Sequence, residues 1–170
     1  MNADSSSGHE SAATAPLPLV VDLDGTLCKT DTLWECFFAA WRQRWWLPFS
    51  LVLWLLSGRS ALKARLADIA VPDVKLLPWN TDVLSRVQAQ RAAGGRTILA
   101  TAANERVANA CAAELSAFDE VLASNASTNL KSSAKASALV AKFGAGGFDY
   151  IGDSRADIAV WAQAAGKFST

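Results

Sequence analysis

A chain of 170 residues, 51% apolar and 19% charged, is long enough to bury one core and carry an elaboration on it, since domains run to ~100–150 residues. Lysine plus arginine (16) balances aspartate plus glutamate (16), so no global field draws the chain to nucleic acid and no such partner is expected. Cys28, Cys36 and Cys111 lack CxxC spacing and the single histidine, His9, sits in a polar tail, which excludes a Cys/His zinc site. The three thiols read as packing residues of a cytosolic chain.

Residues 1–16 are small and polar, without the basic start and apolar centre of a signal peptide, and are expected to be a disordered tail. PLPLVVDL then reads as a buried strand ending near Asp22. From about residue 30 to 78 the pattern is helical and rich in tryptophan, with six of the seven tryptophans between Trp34 and Trp79. A membrane span needs ~20 apolar residues; the clean run from Trp45 to Leu56 is shorter, contains Pro48 and follows Arg42 and Arg44. The expectation is a helical cap between the first and second strands, its apolar face on the core. An interfacial helix pair, with tryptophans and basic flanks at a membrane surface or a membrane partner, is compatible with it.

Thr81 is placed as the cap of the next helix, with Val83, Leu84 and Val87 on one face and Gly94-Gly95 as the stop. RTILAT (96–101) is the second strand, ANERVANACAAELSAF a helix and EVLAS (120–124) the third strand. NASTN leads into the helix KSSAKASALVAKF, which stops at Gly144. FDYIGDS (148–154) is the fourth strand and RADIAVWAQAA a last helix closed by Gly166. Strands alternating with helices predict an α/β domain over 17–170, a doubly wound parallel sheet covered on both faces.

Chemistry in such sheets gathers at the carboxyl ends of the strands, here Asp22, Thr101, Ala123-Ser124 and Asp153. Asp22 and Asp24 face one small site, with Gly25 allowing a sharp turn beside them. A carboxylate attacks only an electrophilic, charge-balanced centre, and a phosphoryl group beside Mg²⁺ is one. Asp153 and Asp157 add oxygen ligands of the kind Mg²⁺ prefers. Thr101 offers a hydroxyl, and Lys135 or Lys131 a positive charge for phosphate oxygens. The plainer readings are an Asp-Gly turn at Asp24-Gly25, a β-branched strand residue at Thr101, solvated helix lysines, and a capping box of Ser154 with Asp157.

DLDGT after a Val-Val strand, Thr101 in LATAA, a lysine before the last unit and GDSRAD occur in order between Pro16 and Lys167. They resemble motifs I to IV of the haloacid dehalogenase superfamily. The DxD pattern within that resemblance implies a Mg²⁺-dependent phosphohydrolase working through an aspartyl phosphate. Asp22 would be the nucleophile and Asp24 the general acid and base. Asp22, the backbone carbonyl of Asp24 and Asp153 would hold Mg²⁺, with Asp157 direct or through water. Thr101 and the motif III lysine would grip the phosphate. Lys135 is preferred from its place in AKASAL, and Lys131 stays open.

TDTLWE, GRSALKARLA and NLKSSAKASAL further resemble haloacid dehalogenase domains fused to the N-terminus of UbiA-type membrane prenyltransferases. That resemblance implies a lipid-linked or sugar phosphate substrate and a place at the cytoplasmic membrane face. The chain ends at KFST, about where the superfamily's fifth strand begins, which leaves a fragment or a stand-alone copy with a frayed edge. The alternative to an enzyme is a docking or regulatory domain for a membrane prenyltransferase. A receiver-like phospho-acceptor is disfavoured, because the third strand ends without a carboxylate.

Overall fold

Leu19–Val21 form β1, and period-two alternation sends its side chains into two different cores. Leu19 and Val21 pack on one side of the sheet and Val20 on the other. The computed structural model describes residues 15–43, 46, 71–125 and 128–170. Within them β1 pairs in parallel with β2 (Thr97–Asn104) on one edge and β4 (Asp149–Gly152) on the other, Val20 lying opposite both Ile98 and Tyr150. β3 (Glu120–Ser124) flanks β2, and β5 (Lys167–Ser169) flanks β4, giving a five-stranded parallel sheet of order β3-β2-β1-β4-β5. The fold is the doubly wound α/β class expected.

One face is covered by α1 (Thr32–Gln43), α2 (Thr81–Ala92) and α3 (Glu105–Leu115), through Cys36, Ala40, Val83, Val87, Val107 and Cys111. The other is covered by α4 (Ser133–Phe143) and the short α5 (Ile158–Trp161), through Ala136, Leu139 and Val160 against Phe148 and Tyr150. The three cysteines are reduced and buried, as packing residues should be. Burial pushes the thiols of Cys36 and Cys111 up to about 12, where they are inert.

Several boundaries differ from the sequence reading. Asn80, not Thr81, caps α2: its side chain accepts from the Asp82 N–H at 3.2 Å. β2 runs three residues past Thr101 because Asn104 pairs with Ser124, so strand pairing overrides the helical preference of the alanines. The last helix is a 3-10 turn (Arg155–Asp157) followed by only four residues of α5. The chain must turn back there, since Ala165 N–H reaches Phe148 C=O and Tyr150 N–H reaches Gly166 C=O. That return delivers β5 at Lys167–Ser169, within the KFST stretch where the resemblance has the fifth strand begin.

The segment that departs after β1 leaves and returns through one paired stem. Lys29 N–H donates to Pro78 C=O at 3.0 Å and Asn80 N–H to Leu27 C=O at 2.9 Å, with Cys28 bridged to Trp79. Of the expected cap, residues 30–43, 46 and 71–78 are described, including α1 and a 3-10 turn at Val74–Leu76; Pro48, Arg59, Lys63, Arg65 and GRSALKARLA lie outside the described residues, as does the tail to residue 14. Among the described residues no helix is long and apolar enough to cross a membrane.

Candidate active site

The crossover from β3 to β4 passes to the opposite side of β1, so β1 and β4 sit at the topological switch point, where a doubly wound sheet opens a crevice. Asp22 is the first residue past β1 and its N–H still donates to Ile151 C=O. Alternation puts its side chain on the Val20 side of the sheet, toward α4. There Lys135, in the first turn of α4 and 3% exposed, donates from Nζ to Asp22 Oδ1 at 2.9 Å. The backbone then winds tightly, Leu27 N–H reaching Asp22 C=O and Cys28 N–H reaching Leu23 C=O. Gly25 sits in this turn at φ +77°, and a Cβ on it would run into the Asp153 carboxylate.

Asp24 faces the same cleft, its Oδ1 accepting the Thr32 N–H at 2.8 Å. Asp153 follows β4, with Thr26 Oγ1 3.4 Å from its Oδ1. Asp157 is buried and fully engaged. Tyr150 Oη donates to its Oδ1 at 2.7 Å, with Lys135 Nζ at 3.4 Å. Its Oδ2 accepts from Ser154 Oγ and from the N–H groups of Ser154 and Asp153 at 3.1–3.3 Å. The capping-box reading of Ser154 and Asp157 is therefore correct in geometry, and it coexists with the site.

Carboxylate oxygens of Asp22, Asp153 and Asp157 lie within 4.8 Å of one another. Burial lifts the Asp22 carboxyl to about 6 against the pull of Lys135, and the charges of Asp157 and Asp24 add to the rise. Asp153 is also raised, by partial burial and then by Asp157. Asp157 is lowered: burial opposes it, but Lys135, the Tyr150 hydroxyl and the Ser154 donors together outweigh that. Among the described residues the cluster thus carries more negative charge than the Lys135 ammonium offsets. An oxygen-only donor set with surplus negative charge fits a hard divalent cation such as Mg²⁺.

The cleft holds about 520 Å³ and is lined by Asp22, Asp24, Lys131, Lys135, Asp153 and Asp157 among others. Lys131 stands exposed at its rim, before α4 begins. Thr101 does not line it. Its side chain has the parity of Leu99 and Ala103, both packed in the α1–α3 core, and its hydroxyl accepts the Ala103 N–H at 2.9 Å; the lining residue of β2 is Ala102. The sequence reading missed Tyr150. The available signal was a lone polar-tipped aromatic in an apolar strand, two residues past Phe148 and on the Val20 face of the sheet.

A family model described as haloacid dehalogenase-like hydrolase matches residues 19–161. The chain belongs to that family of hydrolases. It is 39% identical over 151 residues to the uncharacterized protein y4nM of Sinorhizobium fredii (strain NBRC 101917 / NGR234), covering 88% of this chain and 29% of that one, so the chain spans under a third of that relative's length. Its fold is similar to a substrate-bound phosphoserine phosphatase complex (TM-score 0.62, 15% identity, 91% of this chain and 85% of that). It is likewise similar to a phospho-aspartyl intermediate analogue of phosphoserine phosphatase (TM-score 0.61, 15% identity, 92% and 87%).

Proposed function

We propose that the protein is a Mg²⁺-dependent phosphomonoester hydrolase working through an aspartyl phosphate on Asp22. The observation that carries the reading is the meeting of Asp22, Asp24 and Lys135 in one cleft, with Lys135 Nζ 2.9 Å from the Asp22 carboxylate. Asp22 attacks phosphorus as the ester P–O bond breaks, and Asp24 gives its proton to the leaving oxygen. Asp24 then takes a proton from the water that attacks the aspartyl phosphate, releasing inorganic phosphate and restoring Asp22. Lys135 offsets charge on the phosphoryl oxygens, and Lys131 meets the substrate at the rim. A contribution from Thr101 requires its hydroxyl to turn from the Ala103 N–H.

Asp22, Asp153 and the backbone carbonyl of Asp24 would hold Mg²⁺. Asp157, whose two oxygens already accept several donors, stands behind them or joins through water. The bound ion supplies positive charge at the phosphoryl oxygens. The similarity to a phosphoserine phosphatase with a phospho-aspartyl intermediate analogue supports the covalent route.

For the substrate we favour a lipid-linked or sugar phosphate. Trp34, Phe38 and Trp41 lie at i, i+4 and i+7 on α1 and are 44–59% exposed, an apolar stripe beside the root of the inserted segment. An arrangement as the N-terminal part of a longer prenyltransferase-linked protein is consistent with the length of the Sinorhizobium relative. Turnover of p-nitrophenyl phosphate with Mg²⁺ tests the enzyme reading: the parent should turn over and Asp22→Asn should not, while keeping its circular dichroism. A parent without turnover leaves the docking-domain reading. Co-sedimentation with anionic vesicles and a blue shift of tryptophan emission test the lipid-linked substrate; neither effect at low salt overturns it.

A further inference from the structure

Tyr150 lies fully buried on β4, and its hydroxyl donates to Asp157 Oδ1 at 2.7 Å while accepting from Lys135 Nζ at 2.9 Å. The direct approach of Lys135 to Asp157 is 3.4 Å, the longest contact of this ammonium with its three oxygen partners. A buried ammonium and carboxylate with nothing between them close to ~2.7–2.9 Å. Here the phenol stands between them. It occupies Asp157 Oδ1 with its own proton and offers the ammonium a neutral acceptor, so the nearest charged partner left to Lys135 is Asp22. The ring has a separate task, packing edge-on to Trp161 at 6.5 Å within the α4–α5 core.

We propose that Tyr150 is a positioning residue for the phosphoryl-binding lysine: its hydroxyl, wedged between Lys135 and Asp157, keeps the ammonium directed at Asp22 and the cleft. The proposal rests on the phosphohydrolase reading above. Without the hydroxyl, Lys135 closes on Asp157 and must break a buried ion pair each time it meets a phosphoryl group. Turnover then falls through Lys135 alone, while the ring goes on filling the core.

Tyr150→Phe and Lys135→Met are compared with the parent on p-nitrophenyl phosphate with Mg²⁺. Tyr150→Phe should lose roughly ten- to hundredfold in kcat/KM, the range of a hydrogen bond to a charged group, with its melting temperature close to the parent's. Parent-like turnover in Tyr150→Phe beside an impaired Lys135→Met overturns the positioning role. Parent-like turnover in Lys135→Met instead overturns the lysine's part in the hydrolase reading. The chain has a single tyrosine, so 3-fluorotyrosine incorporated in growth reports on this hydroxyl even where Tyr150→Phe fails to fold. Its ¹⁹F resonance should move when inorganic phosphate is added to protein already saturated with Mg²⁺, and should not respond to phosphate in Lys135→Met. A resonance indifferent to phosphate in the parent marks Tyr150 as packing only.

Discussion

The Oδ1 of Asp24 accepts the backbone N–H of Thr32, the first residue of α1, at 2.8 Å. A carboxylate two residues beyond Asp22 is thereby tied to the root of the inserted segment. Asp31 caps the same turn through the Leu33 N–H at 2.8 Å.

Asp24→Asn separates that structural bond from the proposed chemistry. The amide oxygen still accepts the Thr32 N–H, so the melting temperature should change little. Without an acid and base, formation and breakdown of the phosphoenzyme should both slow by ~10²–10⁴-fold. Rapid-quench measurement of both steps checks this, and parent-like rates would remove Asp24 from the mechanism.

Removal of the metal should act on stability as well as turnover. Asp22, Asp153 and Asp157 repel one another, and among the described residues Lys135 is the cation that pairs with Asp22 and Asp157. Saturating Mg²⁺ should raise the melting temperature, by the equivalent of about 2.7 kcal/mol at a hundred times Kd, and EDTA should abolish both the shift and turnover. EDTA-resistant hydrolysis would argue against a site built on these aspartates.

Gly25→Ala should be far more harmful than a methyl group usually is. The left-handed φ of +77° costs an L-residue ~1–2 kcal/mol, and the new Cβ displaces the Asp153 carboxylate. The expected result is a lower melting temperature together with a higher Mg²⁺ concentration for half-maximal activity. A variant with unchanged Mg²⁺ response would show that Asp153 need not sit against Gly25.

Asp119 provides a pH test away from the cleft. The Thr97 N–H at 2.8 Å, and then the Arg91 guanidinium at 2.9 Å, hold its carboxyl below the usual range against slight desolvation. A folded pKa below the unfolded value of ~3.9 stabilises the fold above that value, and the contribution fades as pH falls through the depressed one. Asp119→Asn should therefore melt below the parent at pH 7, the gap closing as pH drops beneath about 4. A gap independent of pH would assign the effect to packing.

Much of the fold was legible because the inner strands are short, largely apolar runs between turn signals, and two of the strand ends, Asp22 and Asp153, line the cleft. β5 was not legible. Its three residues are exposed, half-buried and exposed, and only pairing with β4 makes them a strand. Lys131 and Lys135 are one helical turn apart, so spacing alone could not choose between them. In the structure Ser132 at φ +49° precedes α4, leaving Lys131 outside the helix and Lys135 in its inward first turn, 2.9 Å from Asp22. Thr101 falls on β2 as expected, and its hydroxyl accepts the Ala103 N–H while Ala102 lines the cleft, a matter of side-chain direction that a strand reading does not specify.

The stem in which Lys29 meets Pro78 and Leu27 meets Asn80 brings the two ends of the intervening segment side by side. Whatever lies between them enters and leaves the sheet as a hairpin does, so its length is decoupled from the spacing of β1 and β2. Closing a longer loop costs little, about 0.6 kcal/mol per doubling. The segment can therefore be lengthened, shortened or exchanged over evolutionary time while Asp22 and Lys135 keep their geometry. A variable stretch and the fixed geometry around Asp22 and Lys135 can thus share one chain, with two hydrogen bonds marking the border.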